Sequence, residues 1–155
     1  MKRVLLPGSY DPVTLGHLEI IKKAAKTYDE VYVVIFVNSQ KKYTFSLEQR
    51  REMLRLATEK IANVTVDASD GYVVDYMKEK NIDLIIKGYR NSEDLEYEKI
   101  QAEYNYANGG FKTELWLADE KYRDVSSTKA RELIEKKKGL EEILPKKVIT
   151  FINNH

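Results

Sequence analysis

The residues of this chain able to do chemistry are few, and the densest group is Pro7-Gly8-Ser9-Tyr10-Asp11-Pro12-Val13-Thr14-Leu15-Gly16-His17. Gly8 lets backbone approach a ligand closely, and Ser9 offers a hydroxyl and an amide. Gly16-His17 falls in the first turn of an expected helix, whose free amides favour an anion. Together they outline a phosphate site. A plainer reading stays open, in which Pro-Gly and Asp-Pro only make turns and His17 only caps the helix. Lys41, Lys42, Lys87 and Arg90 are further cations, Glu96 and Glu98 flank Tyr97, and Ser126-Ser127-Thr128 supplies hydroxyls and amides ahead of another helix. Ser126 or Ser127 equally serves as an ordinary N-cap. Nothing in the sequence looks like an activated nucleophile with a base partner.

Composition narrows the chemistry. The 155 residues include no cysteine and two histidines, the second being His155 at the end of the chain. A disulfide framework, a thiolate zinc site and a thiol nucleophile are excluded. With one internal imidazole, two-histidine and three-histidine zinc sites are excluded too, and any metal must be a hard cation on oxygen ligands. Lys plus Arg number 26 against 25 Asp plus Glu, a formal net charge of +1. That balance offers no segregated basic field for a nucleic-acid polymer or an anionic membrane, although a small charged substrate remains compatible. The longest apolar run, Val31 to Val37, is far short of the roughly 20 residues that span a bilayer. Val4 to Leu6 is cut off by Pro7-Gly8 and cannot serve as a signal core. We expect a soluble, cytoplasmic protein.

The elements that must position these residues follow from hydrophobic periodicity. Val4 to Leu6 reads as a strand, followed by a Gly/Pro loop and a helix on Leu18, Ile20, Ile21, Ala24 and Ala25. Val31 to Val37, apolar and rich in β-branched residues, suits a central parallel strand covered on both faces. Ser46-Leu47-Glu48-Gln49 has the form of a capping box, which predicts a helix to about Lys60. Val64–Val66, Leu84–Lys87 and Thr113–Leu117 are the remaining strands, and Val73–Lys80 and Ser92–Tyr106 the intervening helices. Asn108-Gly109-Gly110 stops the latter. Ser127–Lys137 and Pro145–Asn153 close the chain as helices, with proline in the first turn of the last one. The alternation predicts a single α/β domain over residues 1–155. Its core is a Rossmann-like, doubly wound, five-stranded parallel sheet with helices on both faces, and the helices of residues 127–155 pack on it. Ligands should bind at the edge formed by the loops after the strands.

The opening string resembles the first signature of the nucleotidyltransferase superfamily, G-[ST]-[FY]-D-x-x-[HT]-x-G-H, with Thr14 in the position that is histidine in many members and Gly16-His17 retained. The threonine form is usual in the phosphopantetheine adenylyltransferase branch, and other segments match that family in order. Asn38 to Arg50 is similar to its lysine loop and following helix. Lys87-Gly88-Tyr89-Arg90 stands at its R-G-x-R, Asp94-Leu95-Glu96-Tyr97-Glu98 at its D-x-E-Y-E, and Val125-Ser126-Ser127-Thr128 at its [IV]-S-S-[ST]. The match runs from Arg3 to about Pro145.

The resemblance implies transfer of AMP from ATP to 4'-phosphopantetheine by in-line displacement, giving dephospho-coenzyme A and pyrophosphate. It implies Mg2+ brought through the ATP phosphates with no protein metal ligands, a homohexamer, and inhibition by coenzyme A. On the family's pattern His17 is the transition-state stabiliser and Lys41 and Arg90 are the other catalytic cations. ATP is held by Ser9, Tyr10, His17, Gly88, Tyr89, Arg90, Glu98 and the segment Tyr122, Arg123, Asp124, Val125, Ser126, Ser127 and Thr128. The acceptor is held by Ser9, Lys41, Val73 and Lys87. Three positions depart from or blur the pattern. Lys87 replaces an arginine, giving one compact charge in place of a two-donor fork. Tyr122 stands where tryptophan is frequent. Ser126-Ser127-Thr128-Lys129-Ala130-Arg131 also resembles the S-[ST]-T-x-x-R of sister enzymes that adenylylate or cytidylylate other small phosphates, although we read Arg131 as a helix-surface charge. A sister enzyme with another acceptor, or a catalytically silent nucleotide or coenzyme A sensor, are the competing expectations.

Overall fold

Val31, Val33, Val34 and Ile35 have no exposed surface, so their strand is walled on both faces, which is why its apolar run is continuous instead of alternating. In the computed structural model, which describes residues 1–155, this strand is β2 (Glu30–Phe36). Its companions are β1 (Arg3–Gly8), β3 (Val64–Ser69), β4 (Leu84–Tyr89) and β5 (Lys112–Leu117). They form one sheet in the order β3-β2-β1-β4-β5 with every neighbouring pair parallel. The helices are α1 (Leu15–Thr27), α2 (Leu47–Thr58), α3 (Val73–Lys80), α4 (Ser92–Gly109), α5 (Ser127–Lys136) and α6 (Lys146–Asn153).

Side chains alternate across the sheet and nucleate a core on each face. Val4 and Leu6 of β1 join Val33, Ile35 and Ile86 under Ile21 of α1 and Met53 and Leu54 of α2. Ala130 of α5, Leu144 and Val148 of α6 belong to the same cluster. Leu5, Val34 and Ile85 point the other way, to Tyr76 and Met77 of α3. The sheet is therefore doubly wound, and no helix is long and apolar enough to cross a membrane.

The site arises from an asymmetry in strand pairing. β1 pairs with β2 along its whole length, from Arg3 opposite Glu30 to Gly8 opposite Ile35. Against β4 it pairs only at Val4–Leu84 and Leu5–Ile85. Here the strand order reverses, so the chain leaves β1 and β4 in opposite directions and a crevice opens between their carboxyl ends.

Local signals account for most boundaries. Ser46 and Gln49 form the capping box expected of them, with Gln49 N–H donating to Ser46 Oγ at 3.1 Å and Ser46 N–H to Gln49 Oε1 at 3.0 Å. β2 stops one residue short of Val37, whose N–H still donates to Ser69 O. α4 runs past Tyr106 to Gly109 and is ended by Gly110, whose φ of 74° is the left-handed conformation glycine adopts freely. Pro145 is the N-cap of α6 and not a residue of its first turn. Two 3₁₀ turns, Glu120–Tyr122 and Leu140–Glu142, lie in stretches with no distinct periodicity.

Candidate active site

The crevice is the mouth of a cleft of about 560 Å³. Pro7 to Tyr10, Thr14, Gly16 and His17 form one wall; Lys87 to Arg90 with Asp94, Tyr97 and Glu98 of α4 form the opposite one. Ala118, Tyr122 and Val125 to Thr128 close one end, and Lys41 reaches in from the segment after β2.

His17 occupies the third position of α1, and Thr14 is the N-cap. Thr14 Oγ1 accepts the His17 N–H at 3.3 Å, while the Thr14 N–H donates to His17 Nδ1 at 3.0 Å. Imidazole thus takes the place that glutamate or glutamine fills in the usual capping box. Burial lowers the His17 pKa to about 4, and the cations Lys87 and Arg90 push in the same direction. At neutral pH the ring is uncharged, with Nδ1 an acceptor and the proton on Nε2. Capping and ligand binding are compatible because they use different nitrogens.

Tyr10 supports this ring from below. Its ring centroid is 4.9 Å from that of His17, its hydroxyl donates to Leu6 O at 2.9 Å, and it is buried in a left-handed conformation with φ of 48°. A Cβ on Gly8 would stand 3.0 Å from the Tyr10 ring, so Gly8 serves the packing of Tyr10 as well as leaving backbone open to the cleft. Gly88 has a similar part on β4: a Cβ there would lie 2.2 Å from Ile20 Cδ1 of α1.

Two acids hold the cations of the β4 wall. Asp94 accepts from the Arg90 amide at 3.1 Å and from its Nε at 3.0 Å, fixing the guanidinium against the start of α4. Glu98 is buried and lies 3.4 Å from Lys87 Nζ, which also donates to Pro7 O at 3.3 Å. Burial raises the Glu98 pKa, and Lys87 opposes part of that rise.

The loop after β1 is braced through its main-chain carbonyls. Arg50 donates to Ser9 O at 3.0 Å, Arg131 to Asp11 O at 2.8 Å and Ser127 Oγ to Pro12 O at 2.8 Å. The buried Asp11 carboxylate accepts the N–H groups of Thr44 and Phe45 at 2.8 and 2.9 Å. Arg131 is thus half-buried and committed to the loop, unlike the surface charge expected of it.

Of the residues assigned from sequence, Ser9, Tyr10, His17, Lys41, Lys87, Gly88, Tyr89, Arg90, Glu98, Tyr122, Val125, Ser126, Ser127 and Thr128 line the one cleft. Arg123, Asp124 and Val73 lie outside its lining. Arg123 donates to Ala118 O, and Val73 packs against the cluster of Leu5 and Val34. Asp94, Arg50 and Asp11 were not assigned a site role. Asp94 lies inside α4 while Arg90 precedes its N-cap Asn91, so helical spacing does not signal their pair; Arg50 carries no local sign either, because its burial depends on Ser9, 41 positions away.

A parallel sheet with a cleft at its switch point, a neutral imidazole at a helix start on one wall, and Lys87 and Arg90 facing it with Lys41 alongside is the arrangement of a nucleotidyltransferase. The cytidylyltransferase-like family model matches residues 5–133. The chain is 40% identical over 155 residues to a phosphopantetheine adenylyltransferase of Clostridium novyi, covering 99% of this chain and 96% of the relative. It is 41% identical over 146 residues to one of Symbiobacterium thermophilum, covering 94% and 90%, and 39% identical over 145 residues to one of Thermobifida fusca, covering 94% and 88%. The chain belongs to the phosphopantetheine adenylyltransferase family.

Proposed function

We propose that the protein transfers AMP from ATP to 4'-phosphopantetheine, releasing pyrophosphate and forming dephospho-coenzyme A, as a step of coenzyme A biosynthesis. The observation that carries this reading is the convergence of His17, Lys41, Lys87 and Arg90 on one cleft between β1 and β4. The acceptor phosphate is anionic at neutral pH and needs no base. Its oxygen attacks the α-phosphorus while the bond to the bridging oxygen breaks, so the protein has to align two anions and stabilise charge at the transferring group. His17 Nε2–H donates to the α-phosphoryl oxygen without being consumed, because a ring with so low a pKa stays neutral. Arg90, held by Asp94, grips the nucleotide phosphates; Lys41 offsets repulsion between the two substrates; Lys87 meets the acceptor phosphate. Ser126 to Thr128, with Ser126 capping α5 through Lys129 N–H at 3.0 Å, offer amides and hydroxyls to the polyphosphate.

Mg2+ fits this site as a companion of the triphosphate. The two acids in the cleft lining, Asp94 and Glu98, are each engaged by a cation, so the ion would be held by phosphate oxygens and water, where it would neutralise charge on the departing pyrophosphate. We further propose a cytoplasmic homohexamer inhibited by coenzyme A. The exposed Tyr97, Ile100 and Tyr104, at helical spacing on one side of α4, support assembly, and light scattering tests it. Incubation with ATP, Mg2+ and 4'-phosphopantetheine should yield dephospho-coenzyme A and pyrophosphate in equal amounts. Turnover of glycerol phosphate or nicotinamide mononucleotide in preference to 4'-phosphopantetheine would overturn the acceptor assignment.

A further inference from the structure

Arg50 is a buried arginine that lines no part of the cleft. It extends from the first turn of α2, and its exposure is 2%. Taking a guanidinium out of water is costly, and here the charge is met by carbonyls and a ring. Nε donates to Phe45 O at 3.1 Å, a terminal nitrogen donates to Ser9 O at 3.0 Å, and the group stacks 3.9 Å from the centre of the Tyr43 ring. Tyr43 passes the restraint on. Its hydroxyl accepts the Asn38 N–H at 3.3 Å, and its ring centre lies 5.6 Å from Lys41 Nζ. Asn38 in turn organises the turn that carries the lysine: its carbonyl accepts Lys41 N–H at 3.1 Å and its side-chain oxygen accepts Gln40 N–H at 3.0 Å.

Residues 38–42 are exposed and have no buried side chain of their own to hold them. Their place over the cleft depends on Tyr43, and that of Tyr43 on Arg50. The same guanidinium fixes the carbonyl of Ser9. One residue therefore ties the segment that bears Lys41 to the loop that bears Ser9 and leads into His17. We infer that Arg50 is a positioning residue for the transfer reaction, acting through Tyr43 to set Lys41 against Ser9. The inference rests on the reaction proposed above. Lysine cannot substitute, since a single ammonium offers neither the planar fork nor the stacking face.

The test is a double-mutant cycle of Arg50→Lys and Lys41→Ala. Misplacing a reacting group by about 1 Å costs on the order of 10²-fold in rate, so Arg50→Lys alone should lower kcat by about that factor with the KM for ATP unchanged. In the Lys41→Ala background it should cost several-fold less, because the lysine it positions is gone and only the tie to Ser9 is left to lose. A folded Arg50→Lys with normal kcat, or one whose loss is the same with and without Lys41, would overturn the inference. Should Arg50→Lys fail to fold by circular dichroism, Tyr43→Leu interrupts the same chain at its middle and carries the same expectations and the same overturning results. Product formation by the unaltered protein in the parallel assay separates failure of this inference from failure of the proposed reaction.

Discussion

The amide nitrogen of Thr14 lies 3.0 Å from Nδ1 of His17, and because a backbone N–H can only donate, the ring must present its proton from Nε2. Removing that donor should be felt at the transition state. His17→Ala is expected to lower kcat by about 10²- to 10³-fold, the range for loss of one preorganised donor, while the KM for ATP moves little. Steady-state kinetics with circular dichroism as a folding control check it; an equal loss appearing wholly in KM would assign His17 to ground-state binding.

The same imidazole makes stability depend on pH. Its pKa is about 4 when folded against an ordinary value of 6.5, so between these values the unfolded chain binds a proton that the folded chain refuses. Stability therefore falls as pH drops from 6.5 toward 4 and gains no further loss from this group below that. The full contribution is about 3 kcal/mol, from the conversion of pKa difference to free energy. Urea denaturation at about pH 7, 5.5 and 4.5 should show a shallower acid loss for His17→Gln than for the unaltered chain. The contribution of Glu98 is shared by both proteins and cancels in the difference. Parallel curves would refute the assignment.

Lys87 and Glu98 form a pair whose two halves have different consequences. Lys87→Met leaves the buried Glu98 carboxylate without its cation, at a cost of about 3 kcal/mol in stability. On the proposed reaction it also removes a charged donor to the acceptor phosphate, worth about 10- to 100-fold in acceptor KM. Adding Glu98→Gln should restore most of the thermal stability and none of the acceptor affinity. Thermal unfolding beside acceptor kinetics checks this, and a double variant that recovers both would show that Lys87 matters only as a counter-ion.

The strands and caps were legible because their causes are local. Val31 to Ile35 announces a strand covered on both faces by being apolar without alternation, and Ser46 to Gln49 announces a helix start through two side chains that satisfy each other's backbone. The residues facing the cleft from β1 and β4 were legible for a related reason: glycine, serine, histidine and arginine just after strands fall on the ligand edge of any such sheet. What escaped was set by distance. Arg50, in the run Gln49-Arg50-Arg51, has the look of a solvated helix face, and only the carbonyls of Ser9 and Phe45 make its burial tolerable. Arg131 finds its partner across 120 positions. The left-handed Tyr10 is likewise invisible, since nothing in its neighbours demands that backbone; the tertiary fit of its ring beneath Gly8 does.

The three carbonyl braces on the loop after β1 also order events in time. A chain made from its amino end exposes Ser9 to Pro12 early, the Arg50 brace follows after about 40 residues, and the braces from Ser127 and Arg131 await another stretch of synthesis roughly twice as long. Until α5 has left the ribosome, the wall that carries His17 lacks two of its three carbonyl braces. The site is thus finished near the end of translation, and a truncated or stalled chain has no assembled place in which to sequester ATP.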